Sequence, residues 1–220
     1  MLDSKIENDR LQDAPQIYQI DPVKPRRCFA YAFFKRFFDL ISALILSIIF
    51  LPVMFLIAVM IRIDSPGKAI YKQERLGKNG KPFKILKFRT MRTDAEADGP
   101  KWAETDDDRC TKLGAKLRKC RLDELPQLWN ILAGSMSFVG PRPERPCFYE
   151  QFEVYIHGFS NRLCVIPGLT GLAQVMGGYD LKPEEKIVYD MEYIGKRSLI
   201  LDAKILFRTV KVIFTHEGAR

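Results

Sequence analysis

Residues 40–61 read LISALILSIIFLPVMFLIAVMI, a run of 22 residues without a charged side chain. A straight helix of this length measures roughly 33 Å, close to the thickness of the apolar core of a bilayer. The run is too long for the apolar part of a secretory signal, and no convincing cleavage site follows it. A buried helix of a soluble protein is the alternative, but the length and composition favour a membrane helix.

Pro52 lies near the middle of this run and argues against a simple spanning helix. Proline lacks a backbone N–H, and its ring collides with the carbonyl four residues earlier, so we predict a bend there. Each half would then be only about 15–18 Å long, too short to cross the bilayer alone. A bent helix that still crosses once is the alternative, because prolines are tolerated in spanning helices.

Basic residues flank the apolar run on both sides. Those before it are Arg26, Arg27, Lys35 and Arg36; those after it are Arg62, Lys68, Lys72, Arg75, Lys78, Lys81, Lys84, Lys87, Arg89 and Arg92. Because basic flanks favour the cytoplasmic face, both ends of the run prefer the same side. We therefore predict a re-entrant membrane helix over residues 35–62. An irregular N-terminal arm (1–34) precedes it, and a cytosolic domain (63–220) follows.

The chain has 220 residues and a formal net charge of +8. This length is enough for one domain with a real core, or for one small domain plus a membrane anchor. An isoelectric point near 9.2 indicates an anionic partner, which could be nucleic acid, a phosphate-rich substrate or a lipid surface. No nucleic-acid-binding motif appears in the sequence. The number of cysteines, five, is odd, and no two of them have CxxC spacing. We therefore expect reduced thiols rather than disulfides or a zinc site.

The remaining patterns predict an α+β fold that is mostly helical, with one short β-hairpin. The hairpin covers residues 69–91, and Asn79-Gly80 is its turn signal. Helices are predicted at 111–121, 124–133, 183–195 and 200–215, and irregular loops at 94–110, 137–146 and 165–180. The last helix places basic residues between apolar ones, which suits either core packing or an interfacial amphipathic helix.

The segment KLRKCRLDELPQLWNIL (116–132) sets two adjacent carboxylates, Asp123 and Glu124, beside a basic cluster. The ordinary explanation is an exposed helix start with Asp123 as its cap. Three chemical alternatives remain open. The helix start could attract an anion, the carboxylate pair could hold Mg²⁺ against substrate phosphates, or one carboxylate could attack phosphorus and form an acyl phosphate.

Two further segments supply cations suited to phosphate. In GPRPER (140–145), prolines on both sides of Arg142 restrict the backbone, which favours a rigid guanidinium for bidentate phosphate recognition over a plain surface turn. In KFRTM (87–91), Lys87 and Arg89 lie two residues apart and so share one face of a strand. A solvated hairpin face is the alternative there.

Several segments, in this order, closely resemble the bacterial sugar transferases, the monotopic phosphoglycosyl transferases that start glycan assembly on a lipid carrier. They are KRFFDL (35–40), the apolar run with its proline, KFRTM, DDRCTKLGAKLRKCRLDELPQLWNILAGSMSFVGPRP (107–143) and PGLTGLAQV (167–175). The resemblance extends from about Lys35 to the C-terminus and leaves residues 1–30 outside. Its most specific part is the pairing of LDELPQLWN with SFVGPRP. Leu51 departs from the pattern, because some members have a serine before the proline.

The resemblance implies roles for named residues. Asp123 would be the nucleophile and Glu124 its partner at a Mg²⁺ site. The nucleotide-sugar diphosphate would lie among the cations Lys87, Arg89, Arg118 and Arg142. Asp190 and Asp202 match recurring acids of the family and are included as substrate-binding candidates.

The resemblance also implies a reaction and a location. A sugar-1-phosphate would pass from a UDP-sugar to polyprenyl (undecaprenyl) phosphate through a phosphoryl-aspartate intermediate, releasing UMP. This would be the first membrane step of lipopolysaccharide, capsule or exopolysaccharide assembly.

The enzyme would lie on the cytoplasmic face of the bacterial inner membrane, in contact with anionic lipids and without nucleic acid. Whether it forms an oligomer is left open. The non-enzymatic alternative is a membrane-tethered basic module that binds anionic lipid or nucleic acid, but it gives no reason for Asp123-Glu124 inside a basic cluster.

Overall fold

The computed structural model describes residues 17–26, 28–96, 99, 107–177 and 181–215. Within this part of the chain the fold is α+β and mostly helical, as predicted. The helices are α1 (Phe29–Asp64), α2 (Lys112–Lys119), α3 (Gln127–Leu132), α4 (Pro146–Glu153), α5 (Leu172–Met176), α6 (Pro183–Lys196) and α7 (Leu199–Thr215). The strands are β1 (Tyr18–Gln19), β2 (Ile70–Leu76), β3 (Pro82–Phe88), β4 (Ser137–Val139), β5 (Ile156–His157) and β6 (Gly168–Thr170).

Helix α1 contains the apolar run and is longer at both ends than the predicted segment 35–62. Its 36 residues measure about 54 Å along the axis. It continues through Pro52, which interrupts one hydrogen bond without ending the helix, so the bend itself stays a prediction. Of the described helices, α1 is the one long and apolar enough to cross a membrane, and only 17% of its most apolar window is buried. That exposure argues against the buried helix of a soluble protein.

One stripe of α1 packs against the rest of the chain along both halves of the helix. Before Pro52, Ala43 packs with Ile131 and Met136. After it, Met54, Ile57 and Ile61 form a second apolar cluster with Phe88 and Leu117. The domain therefore lies alongside the helix on both sides of the proline.

The first turns of α1 are tied to the domain by polar contacts. The Lys35 ammonium lies 2.9 Å from the Asp202 carboxylate at the start of α7. Arg36 donates to the carbonyls of Ile131 and Leu132 at 2.7 and 3.0 Å, which satisfies the C-terminal end of α3. Two of the basic residues that flank the apolar run are thus engaged in tertiary structure.

The predicted hairpin is confirmed. Strands β2 and β3 pair antiparallel with Leu76 opposite Pro82, and the connecting loop spans residues 77–81. Asn79 takes the left-handed conformation, φ 57°, that asparagine tolerates. The side chain of Asn130 on α3 accepts from Leu86 N and donates to Lys84 O, at 2.9 and 2.8 Å, so it occupies the free edge of β3.

The main core lies between α4, α6 and α7. Its fully buried residues include Ile156, Phe159, Ile187, Ile194 and Ile205. Part of the predicted irregular arm belongs to it, because Tyr18–Gln19 forms a parallel pair with Ile156–His157. Residues 1–16 of that arm lie outside the described residues.

Two predictions of irregular structure were wrong in part. The segment 137–146 contains β4 and the start of α4, and the segment 165–180 contains β6 and α5, although residues 178–180 lie outside the described part. Strands β4 and β6 pair in parallel. A Cβ on Gly168 would lie 2.1 Å from Gly140 N, so these glycines allow the two segments to approach closely. Neither short strand carries a strong local pattern.

The helix start predicted at residue 124 was also wrong. Helix α2 ends at Lys119, Arg121 turns the chain through the left-handed region (φ 55°), and Leu122–Glu124 form a 3₁₀ turn. Helix α3 begins only at Gln127. Asp123 is therefore not a helix cap, which removes the ordinary explanation for this acid. The predicted helices at 183–195 and 200–215 are confirmed as α6 and α7.

Candidate active site

A cavity of about 990 Å³ lies between the hairpin, the α2–α3 segment and the loop that follows β4. Six of the eight predicted catalytic and substrate-binding residues line it: Lys87, Arg89, Arg118, Asp123, Glu124 and Arg142. Basic lining residues outnumber acidic ones fourteen to four. Such a charge excess in a concave site attracts anionic ligands.

Asp123 and Glu124 are both buried, but their carboxylates are held differently. The Oε1 atom of Glu124 accepts from Lys87 Nζ at 3.2 Å and from an Nη2 group of Arg142. Asp123 is held more loosely, with its Oδ2 atom 3.9 Å from Lys87 Nζ. Glu124 is thus fixed by two cations, whereas Asp123 keeps more freedom to meet a ligand.

The electrostatics of the two acids also differ. Burial alone would raise the pKa of Glu124, but the charges of Arg142 and Lys87 outweigh it and hold that pKa well below its usual range. Burial raises the pKa of Asp123, and the neighbouring Glu124 charge adds to the effect, against the opposing charge of Lys87. An additional positive charge beside Asp123 would favour its ionised form.

Arg118 reaches the cavity from α2. Its Nε donates to Thr90 Oγ1 at 3.0 Å. Gly114, one turn earlier, packs directly on the backbone of Thr90, where a Cβ would lie 2.0 Å from the carbonyl oxygen. The close approach of α2 to the end of β3 thus depends on glycine and sets the position of Arg118.

Arg142 is anchored at several atoms. Besides its contact with Glu124, its Nη1 lies 3.5 Å from the carbonyl of Leu169, and its own carbonyl accepts from Arg162 at 3.0 Å. Arg162 forms a buried ion pair with Asp190 at 2.6 Å. Arg142 therefore rests on a second layer of charged residues behind the cavity.

Asp190 and Asp202 are not among the described residues that line the cavity. Burial raises the pKa of Asp190 to about 6, against the lowering charge of Arg162. Asp202 accepts from Tyr31 and Tyr193 at 3.0 and 2.9 Å besides its pair with Lys35, so it joins α1, α6 and α7. Their role as substrate contacts stays a prediction, and the geometry places both in supporting positions.

Arg89 has a second task in addition to lining the cavity. Its guanidinium donates to the carbonyls of Ser65 and Pro66, both at 2.7 Å, just beyond the last turn of α1. The end of α1 and the cavity are therefore linked through one side chain. The two-residue spacing predicted that Arg89 lies on the same face of the strand as Lys87, but it did not predict this contact.

The sequence reasoning did not assign several other basic lining residues to the site, among them Arg75, Arg145, Arg162 and Lys186. Arg75 pairs with the buried Glu144 at 2.9 Å, and Arg145 pairs with Glu96 at 2.7 Å. Glu144 and Arg145 belong to the GPRPER segment, and this segment is the sequence signal that could have indicated them as site residues. The partners lie 49 to 69 residues away in the chain, and no local pattern connects them.

The donor set fits Mg²⁺ bound through substrate rather than in a protein cage. In the described part of the chain no three His, Cys, Asp or Glu side chains cluster as metal ligands. The Asp123-Glu124 pair supplies carboxylate oxygens in a phosphate-attracting cavity. Mg²⁺ commonly binds in this way, through one or two carboxylates together with substrate phosphates.

The sequence matches a known protein family. The sequence profile described as bacterial sugar transferase matches residues 30–216. The chain belongs to the bacterial sugar transferase family. The match includes α1 from its second residue onward, together with every residue assigned above to the cavity.

Named relatives of this sugar transferase act on undecaprenyl phosphate. It is 43% identical over 193 residues to a UDP-N-acetylgalactosamine-undecaprenyl-phosphate N-acetylgalactosaminephosphotransferase of Aeromonas hydrophila, covering 86% of this chain and 46% of the relative. It is 39% identical over 216 residues to a UDP-glucose:undecaprenyl-phosphate glucose-1-phosphate transferase of Caulobacter vibrioides, covering 95% of this chain and 80% of the relative. A putative undecaprenyl-phosphate N-acetylgalactosaminyl 1-phosphate transferase of Bacillus subtilis is 51% identical over 133 residues, which are 60% of this chain and 74% of the relative. The sugar transferase thus spans less than half of the Aeromonas relative but most of the other two.

Proposed function

We propose that this sugar transferase moves a sugar-1-phosphate from a UDP-sugar to polyprenyl phosphate and releases UMP. The observation that carries the proposal is the Asp123-Glu124 pair, buried in a strongly cationic cavity beside Lys87 and Arg142. A diphosphate ligand explains both the excess of cations and the acids among them. The names of the relatives support the same donor and acceptor classes.

The reaction would proceed in two displacements at one phosphorus atom. First, a carboxylate oxygen of Asp123 attacks the β-phosphorus, the bond to the bridging oxygen breaks, and UMP leaves with that oxygen. The product is a sugar-phosphoryl aspartate. Next, a phosphate oxygen of the lipid carrier attacks the same phosphorus, the bond to Asp123 breaks, and polyprenyl diphosphate sugar forms.

The protein groups have distinct tasks in this scheme. Lys87 and Arg142 fix Glu124 as an anion, and Arg118 adds a further charge-stabilising donor to the cavity. When bound at the acids, Mg²⁺ would supply charge neutralisation at the diphosphate and favour ionised Asp123. Glu124 does not readily replace Asp123, because its carboxylate is already committed to two cations.

We further propose a monotopic arrangement on the cytoplasmic face of the inner membrane, and the contacts of α1 support the monotopic part of it. Lys35 near the start of α1 and Ile61 near its end both contact the same domain. A helix crossing the bilayer would carry its two ends to opposite surfaces, and the domain alongside it would have to enter the apolar core. A helix that dips in and returns avoids that cost and holds the cavity at the surface where the lipid substrate resides.

A release assay tests the proposed function. The purified protein is incubated with Mg²⁺, undecaprenyl phosphate and, separately, UDP-glucose, UDP-galactose or UDP-N-acetylgalactosamine, and UMP is measured. We expect at least one donor to give UMP with wild type and none with Asp123→Asn. Binding of anionic vesicles without UMP release from any UDP-sugar would favour the non-enzymatic membrane module instead.

A further inference from the structure

Gln174 on α5 lines the cavity and carries a buried acceptor that has no partner among the described residues. Its Nε2 group donates to the carbonyl of Leu169 at 3.1 Å. Within the described residues, its Oε1 atom is buried and makes no hydrogen bond. A buried acceptor left without a hydrogen bond is energetically unfavourable, so such an atom in a residue that lines a ligand cavity indicates a donor on the ligand.

The chemistry around Gln174 fixes the orientation of its amide. Rotating the amide by a half turn would place Oε1 against the Leu169 carbonyl oxygen, and two acceptors would face each other. The NH₂ group must therefore stay on Leu169, and the oxygen must stay on the other side. This acceptor is preset in one orientation before any ligand arrives.

Gln174 is also close to the reacting centre through a shared atom. The carbonyl of Leu169 that receives Gln174 Nε2 lies 3.5 Å from Arg142 Nη1, and Arg142 in turn donates to Glu124. The close packing of β4 and β6 at Gly140 and Gly168 joins these two segments. Gln174 thus shares one backbone acceptor, the carbonyl of Leu169, with the cation that fixes Glu124.

We propose that Gln174 is a sugar-recognition residue, whose Oε1 atom accepts a hydrogen bond from a hydroxyl or acetamido N–H of the transferred sugar. This rests on the proposed function. If Asp123 attacks the β-phosphorus, the sugar on that phosphate is the neutral donor group nearest to Arg142, and the uracil lies beyond the second phosphate. The cations of the cavity are matched to phosphate oxygens, whereas a neutral acceptor is matched to an N–H or O–H group.

The test compares wild type, Gln174→Met and Gln151→Met. Methionine keeps the length of the side chain but removes the acceptor, and Gln151 is an exposed glutamine on α4 that serves as the matched control. For the UDP-sugar that wild type uses best, we expect Gln174→Met to lower kcat/KM about tenfold to hundredfold. Inhibition by UMP, which lacks the sugar, should stay within about twofold of wild type, and Gln151→Met should behave as wild type.

Monodeoxy analogues of the same UDP-sugar locate the donor group and do not depend on the folding of a variant. In wild type, one analogue should lose about tenfold to hundredfold in kcat/KM. In Gln174→Met, that same analogue should show little further loss, because the partner is already absent.

Three results would overturn the proposal. The first is an unchanged kcat/KM in Gln174→Met. The second is a loss of UMP affinity in this variant that is as large as its loss of kcat/KM. The third is that each deoxy analogue lowers kcat/KM by the same factor in wild type and in Gln174→Met. The second result would assign the acceptor to the nucleotide. Absence of UMP release from wild type with every donor would instead refute the proposed function, so the two failures are distinct.

Discussion

Arg142 donates through Nη2 to the Oε1 atom of Glu124, the same oxygen that accepts from Lys87. This contact makes Glu124 a fixed anion whose pKa is held low by two cations, chiefly Arg142. Asp123, next to it in the chain, is left with a raised pKa and a looser hold. Two adjacent carboxylates therefore receive different roles from their surroundings.

The shape of the Arg142 side chain should matter more than its charge. Lysine keeps the charge but loses the planar fork that reaches Glu124 and Leu169 at once. We expect Arg142→Lys to lower kcat for UMP release by about 10²-fold, a typical cost of losing one charge-stabilising donor. The Tm should change by only a few degrees.

The control is Arg197→Lys, the same exchange at a half-buried arginine that donates to the Arg26 carbonyl, away from the cavity lining. If turnover in Arg142→Lys stays near wild type, the GPRPER segment is a plain surface turn without a role in phosphate recognition. Equal losses in both variants would point to a general effect of the exchange.

Both ends of α1 should be accessible from the cytoplasm only. Cys28 precedes the helix and is exposed, and Ile63 near its end is 81% exposed. In a background without the other cysteines, Cys28 or an Ile63→Cys variant should react with a membrane-impermeant maleimide in inverted vesicles and not in intact spheroplasts. Labelling of either end in spheroplasts would contradict the re-entrant arrangement.

Asp202 should contribute to stability rather than to turnover. Asp202→Asn removes the partner of Lys35 and weakens two tyrosine contacts, so we expect a loss of about 1–3 kcal/mol in the free energy of unfolding. UMP release per folded molecule should stay within about threefold of wild type. The control is Glu192→Gln, an exposed acid paired with Lys196. A large loss of turnover at unchanged Tm would show that Asp202 contacts substrate, as the sequence predicted.

Asp190 should make stability depend on pH in a defined window. Its pKa of about 6 in the folded protein lies above the ordinary value of 3.8, so between these values the folded state retains a proton that the unfolded chain releases. The stabilisation that this retained proton adds to the free energy of unfolding is present in full below about pH 4. It is lost as pH rises to 6, by up to about 3 kcal/mol. The Tm difference between wild type and Asp190→Asn should therefore fall across pH 4–6. A constant difference would mean that Asp190 stays ionised throughout.

Local patterns predicted the parts of the fold whose causes are local. Asn79-Gly80 marks the hairpin, and the spacing of apolar residues marks α6 and α7, because turn preference and helical periodicity act over a few residues. The pairs Lys35–Asp202 and Arg162–Asp190 were not predicted as contacts, since their partners are brought together only by packing of distant elements. The basic flank of the apolar run was interpreted as a topology signal, yet Lys35 and Arg36 also serve tertiary contacts.

The sequence predicted which cations and acids belong to the site, but it did not predict their different roles. Lys87, Arg118 and Arg142 line the same cavity as Asp123 and Glu124. The contact of Arg89 with the end of α1 depends on Gly67, where a Cβ would lie 2.3 Å from Arg89 Nη1. The position of Asp123 in a 3₁₀ turn rather than at a helix start depends on the left-handed Arg121. Neither effect has a distinct sequence signature.

Intact mass of the protein after incubation with UDP-sugar and Mg²⁺, in the absence of a lipid acceptor, tests the central claim most directly. We predict UMP release of about one equivalent and a mass increase equal to one sugar phosphate, mapped by peptide analysis to Asp123 and absent from Asp123→Asn. Addition of polyprenyl phosphate should remove the adduct. If wild type releases UMP only when acceptor is present and forms no adduct, transfer is direct and Asp123 is not the nucleophile.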